Sequence, residues 1–394
     1  MAKAKLLAVR DYMDVEILEY DIPEPMEDGL VIKVEAAAIC GSDIGTMHMK
    51  DYPREFSGNI GHEFCGKIVS MGARAAETVK CYNGELKVGD RIAVYPWITC
   101  GHCHGCLKHG AGVCGACENG FIYGGDEMQI NEYLNHDPAR YPHFKGGFGE
   151  YVHIFANTYV WKIPDDMPSK IAALLDPCAV AMRAVEQAVT GLNGLYEGIS
   201  TTTHAVVVGP GPIGIMTGMI LKRMGVEQLV LTGRNDNKLR RAQELCGADV
   251  VVNVKNMTLE ERVAKIQEII GGGGDVVINC ASAPDSSIEA MMMTGFLGIY
   301  VEVGNAGAWT HEPKLTFNLP DVIYGKNIHV TSVVANTSKT FDRAFRLLTK
   351  WKEIPFEKLI THEFHSLEEF IPTVAHGHDE DYIKGVLTFE DENQ

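Results

Sequence analysis

Nowhere in the 394-residue chain do about eighteen apolar residues run together, so no segment has the length that a membrane-crossing helix needs. Positive charge is also scarce. Thirty-five lysines and arginines face 52 aspartates and glutamates, a formal net charge of -17. A surface of that sign repels phosphate backbones and anionic lipid, which excludes nucleic acid and membranes as general partners. Any anionic ligand then needs a local basic pocket. There is no long internal repeat and no low-complexity linker. The first residues, MAKAKLLAVRDYMDVEI, lack the apolar stretch and small-residue cleavage site of a secretory signal, and the expected location is the cytoplasm. The eleven cysteines are an odd number in such a chain, and a reducing compartment favours metal ligation or reactive thiols over disulfides.

What is present describes an ordinary globular protein, with 46% apolar residues, 22% charged residues and 41 glycines. The length exceeds what one core usually serves, so two domains are expected. From 1 to 177, short β-rich pieces such as LVIKVEAAAIC, EFCGKIVSMG, DRIAVYP and GEYVHIF alternate with Gly, Pro and Asp turns, the pattern of a barrel-like antiparallel domain. From 178 to 335, six buried, β-branched strands alternate with helix-length segments: HAVVVG, QLVLTG, DVVVNV, DVVINCA, GIYVEVG and NIHVTS. That alternation predicts a doubly wound parallel sheet. The tail, 336–394, returns to mixed α and β and is expected to rejoin the first domain.

The second domain carries VVVGPGPIG at 206–214. Gly209, Gly211 and Gly214 fit G-x-G-x-x-G directly after an apolar strand and at the start of a helix, the arrangement that lets a backbone approach a pyrophosphate. About twenty residues on, an NAD site expects an acid for the ribose hydroxyls, whereas a 2′-phosphate asks for arginine. This chain has Gly233 at that point, followed by Arg234 and, further on, Lys238, Arg240 and Arg241. The reading is NAD(P), leaning to NADP. Arg240 and Arg241 read better as solvated helix charges, and Asp236 is an alternative partner for a ribose.

The first domain holds Cys40 in AAAICGSDIG and His62 with Glu63 in NIGHEFCG. Thiolate, imidazole and carboxylate form the donor set that zinc accepts, and catalytic zinc keeps three protein ligands and an open position. Cys100, Cys103, Cys106 and Cys114 sit in CGHCHGCLKHGAGVC, where four thiolates in one short loop can close a tetrahedral zinc site. Cys117 makes a further C-x-x-C with Cys114 and is a possible substitute. A thioredoxin-like redox pair would leave two cysteines unexplained. His102, His104 and His109 are expected to be exposed.

Taken in order, CGSD at 40–43, GHEFCG at 61–66, VGDRIAV at 88–94, the four-cysteine lobe, GGFGEYV at 146–152 and GPGPIG at 209–214 resemble the zinc-containing alcohol dehydrogenases of the medium-chain dehydrogenase/reductase superfamily. The resemblance covers essentially the whole chain. It implies a GroES-like β-rich catalytic domain with a Rossmann domain. It implies two zinc ions per chain, one catalytic and one structural, and a homodimer or homotetramer. Cys40 and His62 would be catalytic zinc ligands, Glu63 a neighbour that coordinates directly or exchanges, and Asp176 the further ligand, with Cys178 as its rival. Family spacing favours Cys114 over Cys117 in the structural set. Ser42 resembles the relay hydroxyl, whereas the position of the usual second relay residue is Gly45, with His48 displaced by three. Pro212, Ile213 and Val303 would join the glycines in contacting the cofactor. A carboxylate ligand is like that of the sorbitol, threonine and secondary-alcohol dehydrogenases, so a small-molecule secondary alcohol or polyol is the expected substrate. Residues 126–138, in a segment longer than in compact members, are expected to border the substrate cleft. The alternatives are a non-catalytic zinc module and a zinc metallohydrolase using Glu63 as base.

Overall fold

A computed structural model describes residues 2–48, 58–125, 143–193, 198–304, 316–376 and 380–389. The expected cleft-bordering stretch 126–138 lies outside them. The chain opens with the hairpin of β1 (Lys3–Asp11) and β2 (Asp14–Asp21), followed by β3 (Leu30–Ala38), β4 (Glu63–Met71), β5 (Lys80–Cys81), β6 (Arg91–Val94), β7 (Trp97–Ile98), β8 (Phe121–Ile122), β9 (Tyr151–Ile154) and β10 (Tyr159–Lys162). It continues through β11 (His204–Val208), β12 (Gln228–Gly233), β13 (Val250–Asn253), β14 (Gly274–Asn279), β15 (Thr294–Glu302) and β16 (His329–Ser332), and ends with β17 (Ile360–Phe364) and β18 (Lys384–Thr388).

Two compact units result. The first comprises the described parts of Met1–Asp176, Asn336–Asp379 and Lys384–Gln394, and the second those of Pro177–Ala335 and Glu380–Ile383. In the first, a mixed sheet runs β17-β18-β3-β4-β6-β10-β5, with β9 also paired to β3. Its core is aliphatic and aromatic, including Leu7, Ile32, Phe64, Ile92, Phe148, Phe155 and Phe370. Burying each such side chain contributes about 1.5–3 kcal/mol. Trp161, fully buried, lies between Tyr82 at 4.7 Å and Phe341 at 4.9 Å between ring centroids.

The second unit is a six-stranded parallel sheet in the order β13-β12-β11-β14-β15-β16, the doubly wound arrangement with its switch point between β11 and β14. Helices Pro212–Met224, Asp236–Cys246 and Leu259–Ile270 all stop at a glycine in the left-handed region, which a Cβ would strain: Gly225, Gly247 and Gly271. Five of the six strands read from the sequence are mostly buried or half-buried. The sixth differs, because His329, Val330 and Ser332 of β16 are exposed. β16 is an edge strand, hydrogen-bonded to β15 alone among the described strands, which leaves one side of its backbone unpaired.

Candidate metal and dinucleotide sites

Register brings the metal donors of the first unit together. β3 pairs antiparallel with β4 so that Ala38 faces Glu63. The residues just after β3 and just before β4 therefore meet, and Cys40, His62 and Glu63 offer ligand atoms within 4.8 Å of one another. On the other side of β3, Val386 of β18 faces Ala38, and the Ile39 amide donates to the Gly385 carbonyl at 3.0 Å. That register sets Lys384 beside the same site. Its ammonium, buried, lies 2.5 Å from Glu63 Oε2 and donates to the Ile39 carbonyl at 2.7 Å.

Asp43 ties two of the donors to each other. One oxygen accepts from the Cys40 amide at 2.9 Å, and the other lies 3.3 Å from His62 Nδ1. With Nδ1 turned to a carboxylate, Nε2 is the nitrogen available to a metal. Burial disfavours charge on His62, yet Asp43 and Cys40 outweigh it and raise its pKa well above the usual histidine range. Burial raises Glu63, while Lys384 and His62 pull it back.

Asp176 opens the helix Leu175–Asn193 and is buried. It does not belong to the trio of Cys40, His62 and Glu63, but it lies near enough that His62 and Lys384 lower a pKa which burial raises. Its Oδ1 accepts from Asn336 Nδ2 at 3.1 Å. Cys178 contrasts with it: burial alone pushes that thiol to about 12. Ser42 sits half-buried in the first turn of the helix Gly41–Met47. His48, exposed, turns Nδ1 to the Ile44 carbonyl at 2.7 Å.

In the lobe, the thiols brought together are those of Cys100, Cys103, Cys106 and Cys117. Cys114, expected as the fourth, stands apart from them. Cys103 caps the helix His104–His109 and accepts from the Cys106 amide at 3.4 Å. A 3-10 turn over Cys114–Ala116 then swings the chain so that Cys117 Sγ accepts from the Cys100 amide at 3.3 Å. The same turn sends Cys114 inward, where Sγ donates to the Asn336 carbonyl at 3.0 Å. His102, His104 and His109 are exposed.

The glycine-rich turn of the second unit has the shape that a dinucleotide asks for. Gly209 has φ +106°, and a Cβ there would lie 3.0 Å from the Ala281 backbone nitrogen. A Cβ on Gly214 would meet the Gly209 carbonyl at 2.0 Å, whereas one on Gly211 would meet nothing within 4 Å. The turn is therefore packed behind and open in front, at the N-terminus of the helix Pro212–Met224, whose first turn holds Ile213. At the ends of β14 and β15, the Val303 and Gly304 amides both donate to the Asn279 carbonyl at 2.9 Å.

Gly233 ends β12, and no side chain fits there: a Cβ would lie 2.7 Å from Pro210 Cγ and Cδ. Arg234 is half-exposed and braced by Asp285 through two contacts of 3.2 Å. Asp285 is held in turn by Arg262, which also pairs with Glu289 at 2.8 Å. Asp236 accepts from Asn253 at 2.7 Å, and the Lys238 amide donates to the cap Asn235. Asp43, Lys384 and Asn336 were not singled out from the sequence. The CGSD run holds Asp43, but a lysine opening a strand and an asparagine before a helix cap carry no local signal of their own.

Residues 26–165 match the model of the alcohol dehydrogenase GroES-like domain, and residues 212–350 match that of the zinc-binding dehydrogenase. The chain is similar to the uncharacterized zinc-type alcohol dehydrogenase-like protein YdjL of Escherichia coli strain K12, 30% identical over 385 residues, with 94% of each chain covered. It is 26% identical to a sorbitol dehydrogenase of Bombyx mori, over 89% of each chain. Among solved structures, the rspB alcohol dehydrogenase of E. coli CFT073, complexed with NADH, aligns with a TM-score of 0.74 at 27% identity and covers 99% of this chain and 100% of that one. These likenesses favour a dehydrogenase over a non-catalytic zinc module or a hydrolase.

Proposed function

The chain belongs to the zinc-type alcohol dehydrogenase family, and from that premise we propose that it interconverts a secondary alcohol or polyol with its ketone. The observation that carries this reading is the convergence of Cys40, His62 and Glu63 where β3 ends and β4 begins. A thiolate, an imidazole nitrogen and a carboxylate suit zinc, whose tetrahedral ligands stand roughly 3.3–3.8 Å apart at ordinary bond lengths. Cys40, His62, Glu63 and Asp176 are the residues assigned to hold it. When bound, zinc acts as a Lewis acid toward the substrate oxygen, and the nicotinamide accepts or returns the hydride.

The remaining work falls to the chain. Asp43 fixes the His62 ring and the Cys40 backbone, and Lys384 balances Glu63. Ser42 is assigned to take the hydroxyl proton of the alcohol. Gly209, Gly211, Pro212, Ile213 and Gly214 cradle the pyrophosphate, with Val303 at the neighbouring strand end. Gly233, with no room for an acid, and the braced guanidinium of Arg234 support NADP over NAD, with Lys238 nearby on the same helix.

A second zinc is assigned to Cys100, Cys103, Cys106 and Cys117, a closed set that holds the lobe and leaves no position for substrate. The exposed edge strand β16, with Val330 half-exposed and Val334 and Tyr324 mostly so, supports a homo-oligomer formed through that edge. No described helix is long and apolar enough to cross a membrane. All eleven cysteines are free, which supports a reducing, cytoplasmic setting.

The test combines metal content with the absorbance of reduced nicotinamide on a panel of secondary alcohols, polyols and ketones. Two zinc per chain and turnover are expected, with NADPH preferred. One zinc and no cofactor-dependent turnover overturns the reading, and a preference for NADH overturns only the cofactor choice. Cys40→Ser should abolish turnover in a folded protein, whereas Cys103→Ser should chiefly lower stability.

A further inference from the structure

Asp176 and Asn336 are the residues at which the chain leaves the first unit and returns to it. A hydrogen bond joins them, from Asn336 Nδ2 to Asp176 Oδ1 at 3.1 Å. Asn336 is 3% exposed, and its other side-chain atom, Oδ1, is buried with no partner. An unpaired buried acceptor is costly, so a residue selected for packing alone would not be an asparagine here. The amide serves Asp176 at the expense of its own satisfaction.

The Asn336 backbone is held from the cysteine lobe. Its carbonyl accepts from Tyr95 Oη at 2.8 Å and from Cys114 Sγ at 3.0 Å. On either side, the Ser338 amide donates to the Gly112 carbonyl at 2.9 Å, and Val113 bridges to Thr337. Thr337 then caps the helix Ser338–Lys350. Residues 112–114 and 336–338 thus form one laced strip, and the thiol spared from the metal cluster of the lobe is part of the lacing.

We propose that Asn336 is a positioning residue that aims the Asp176 carboxylate at the catalytic metal, and that Cys114 and Tyr95 clamp Asn336 in place, so that the lobe sets the geometry of the catalytic site. The proposal rests on the reading of Asp176 as a zinc ligand. A donor to one carboxylate oxygen fixes the plane of the group and leaves the other oxygen to the metal, the usual task of a partner behind a ligand. Cys114 occupies the position that spacing offers to the lobe metal, and acts instead as a hydrogen-bond donor.

The test uses the full-length, zinc-loaded protein. Asn336→Ala should weaken the retention of one metal per chain against a competing chelator by about 10–100-fold, leaving the other metal in place. After cobalt exchange, the visible bands of that weakened site should shift. Asn336→Asp, of the same size but without the donor, should behave alike and serves where the alanine variant does not fold. Cys114→Ser, which keeps a donor, should retain both metals, and Cys114→Ala should loosen the same site as Asn336→Ala by about 5-fold, the loss of one modest hydrogen bond. Unchanged chelator competition and cobalt spectra in the Asn336 variants overturn the proposal. Loss of a metal from Cys114→Ser also overturns it, by making Cys114 a lobe ligand. Asp176→Ala separates the two readings. If it keeps both metals, the ligand assignment itself fails; if it loses one while the Asn336 variants lose none, only the positioning role fails.

Discussion

Installing an acid at position 233, the change that family patterns suggest for turning the cofactor site toward NAD, should instead damage it. A Cβ built on Gly233 lies 2.7 Å from both Pro210 Cγ and Cδ and 3.1 Å from Leu239 Cδ2. Carbon atoms rest at about 3.5–4.0 Å, so Pro210 or β12 must move by roughly 1 Å. Pro210 is a rigid ring inside the glycine-rich turn, between Gly209 and Gly211, and its displacement is carried to the backbone that faces the pyrophosphate. Overpacking of this size costs about 1–3 kcal/mol. If the strain appears mainly in the bound state, cofactor affinity falls about 5–150-fold. Gly233→Ala isolates the steric part and Gly233→Asp adds the charge. Dissociation constants for NADH and NADPH from fluorescence titration, beside melting curves, read the outcome. Both cofactors should weaken in Gly233→Ala. An alanine variant that binds either cofactor within twofold of the parent, with an unchanged melting temperature, would refute the steric argument; tighter NADH binding by Gly233→Asp would do the same.

Other outcomes follow from particular contacts. Cys117→Ser should release one zinc per chain, as measured by metal analysis, whereas Cys114→Ser should not. Glu289→Leu leaves Arg262, 8% exposed, with Asp285 and the Met257 carbonyl but without its buried carboxylate, and should cost up to about 3–5 kcal/mol in urea unfolding; a change below about 0.5 kcal/mol contradicts the pairing. His143 is held near a pKa of about 4 by burial and by Lys145 and Arg10, with Nδ1 unpaired. Its folded pKa is depressed, so the unfolded chain takes up the proton first, and stability is lost as pH falls from about 6.5 toward 4. His143→Gln should flatten that decline in urea titrations at stepped pH. Val334→Lys should dissociate an oligomer formed through β16, as light scattering would show.

Much of this was legible in the sequence, because parallel strands buried on both faces leave unbroken β-branched runs, and HAVVVG, QLVLTG and DVVINCA are such runs. NIHVTS has the same composition yet lies at the edge with residues exposed, since composition reports what a strand can pack against and not whether a neighbour is there. Cys40, His62 and Glu63 were readable as zinc donors, and β3–β4 register supplies what spacing could not, their convergence. The cysteine lobe offered two registers of C-x-x-C, with Cys114 or Cys117 as the fourth thiol. A 3-10 turn places Cys117 with the other three thiols, and Asn336, more than two hundred residues away in the chain, gives Cys114 another partner. Lys384 and Asn336 escaped because their roles are fixed by β18 register and by a contact across 160 positions, neither of which leaves a local mark.

The hydrogen bond between Asp176 and Asn336 also has a topological meaning. The stretch 177–335 is an excursion whose two ends are fastened at one point of the first unit. Lengthening a loop whose ends are pinned is cheap, with each doubling adding about 0.6 kcal/mol of closure entropy. Insertions and deletions inside the nucleotide-binding unit can therefore accumulate without disturbing the metal donors. On the proposed ligand assignment, a change of a single residue at 176 or 336 is felt at those donors directly. The joint thus separates the length of the excursion, which is free to vary, from the groups gathered at its foot.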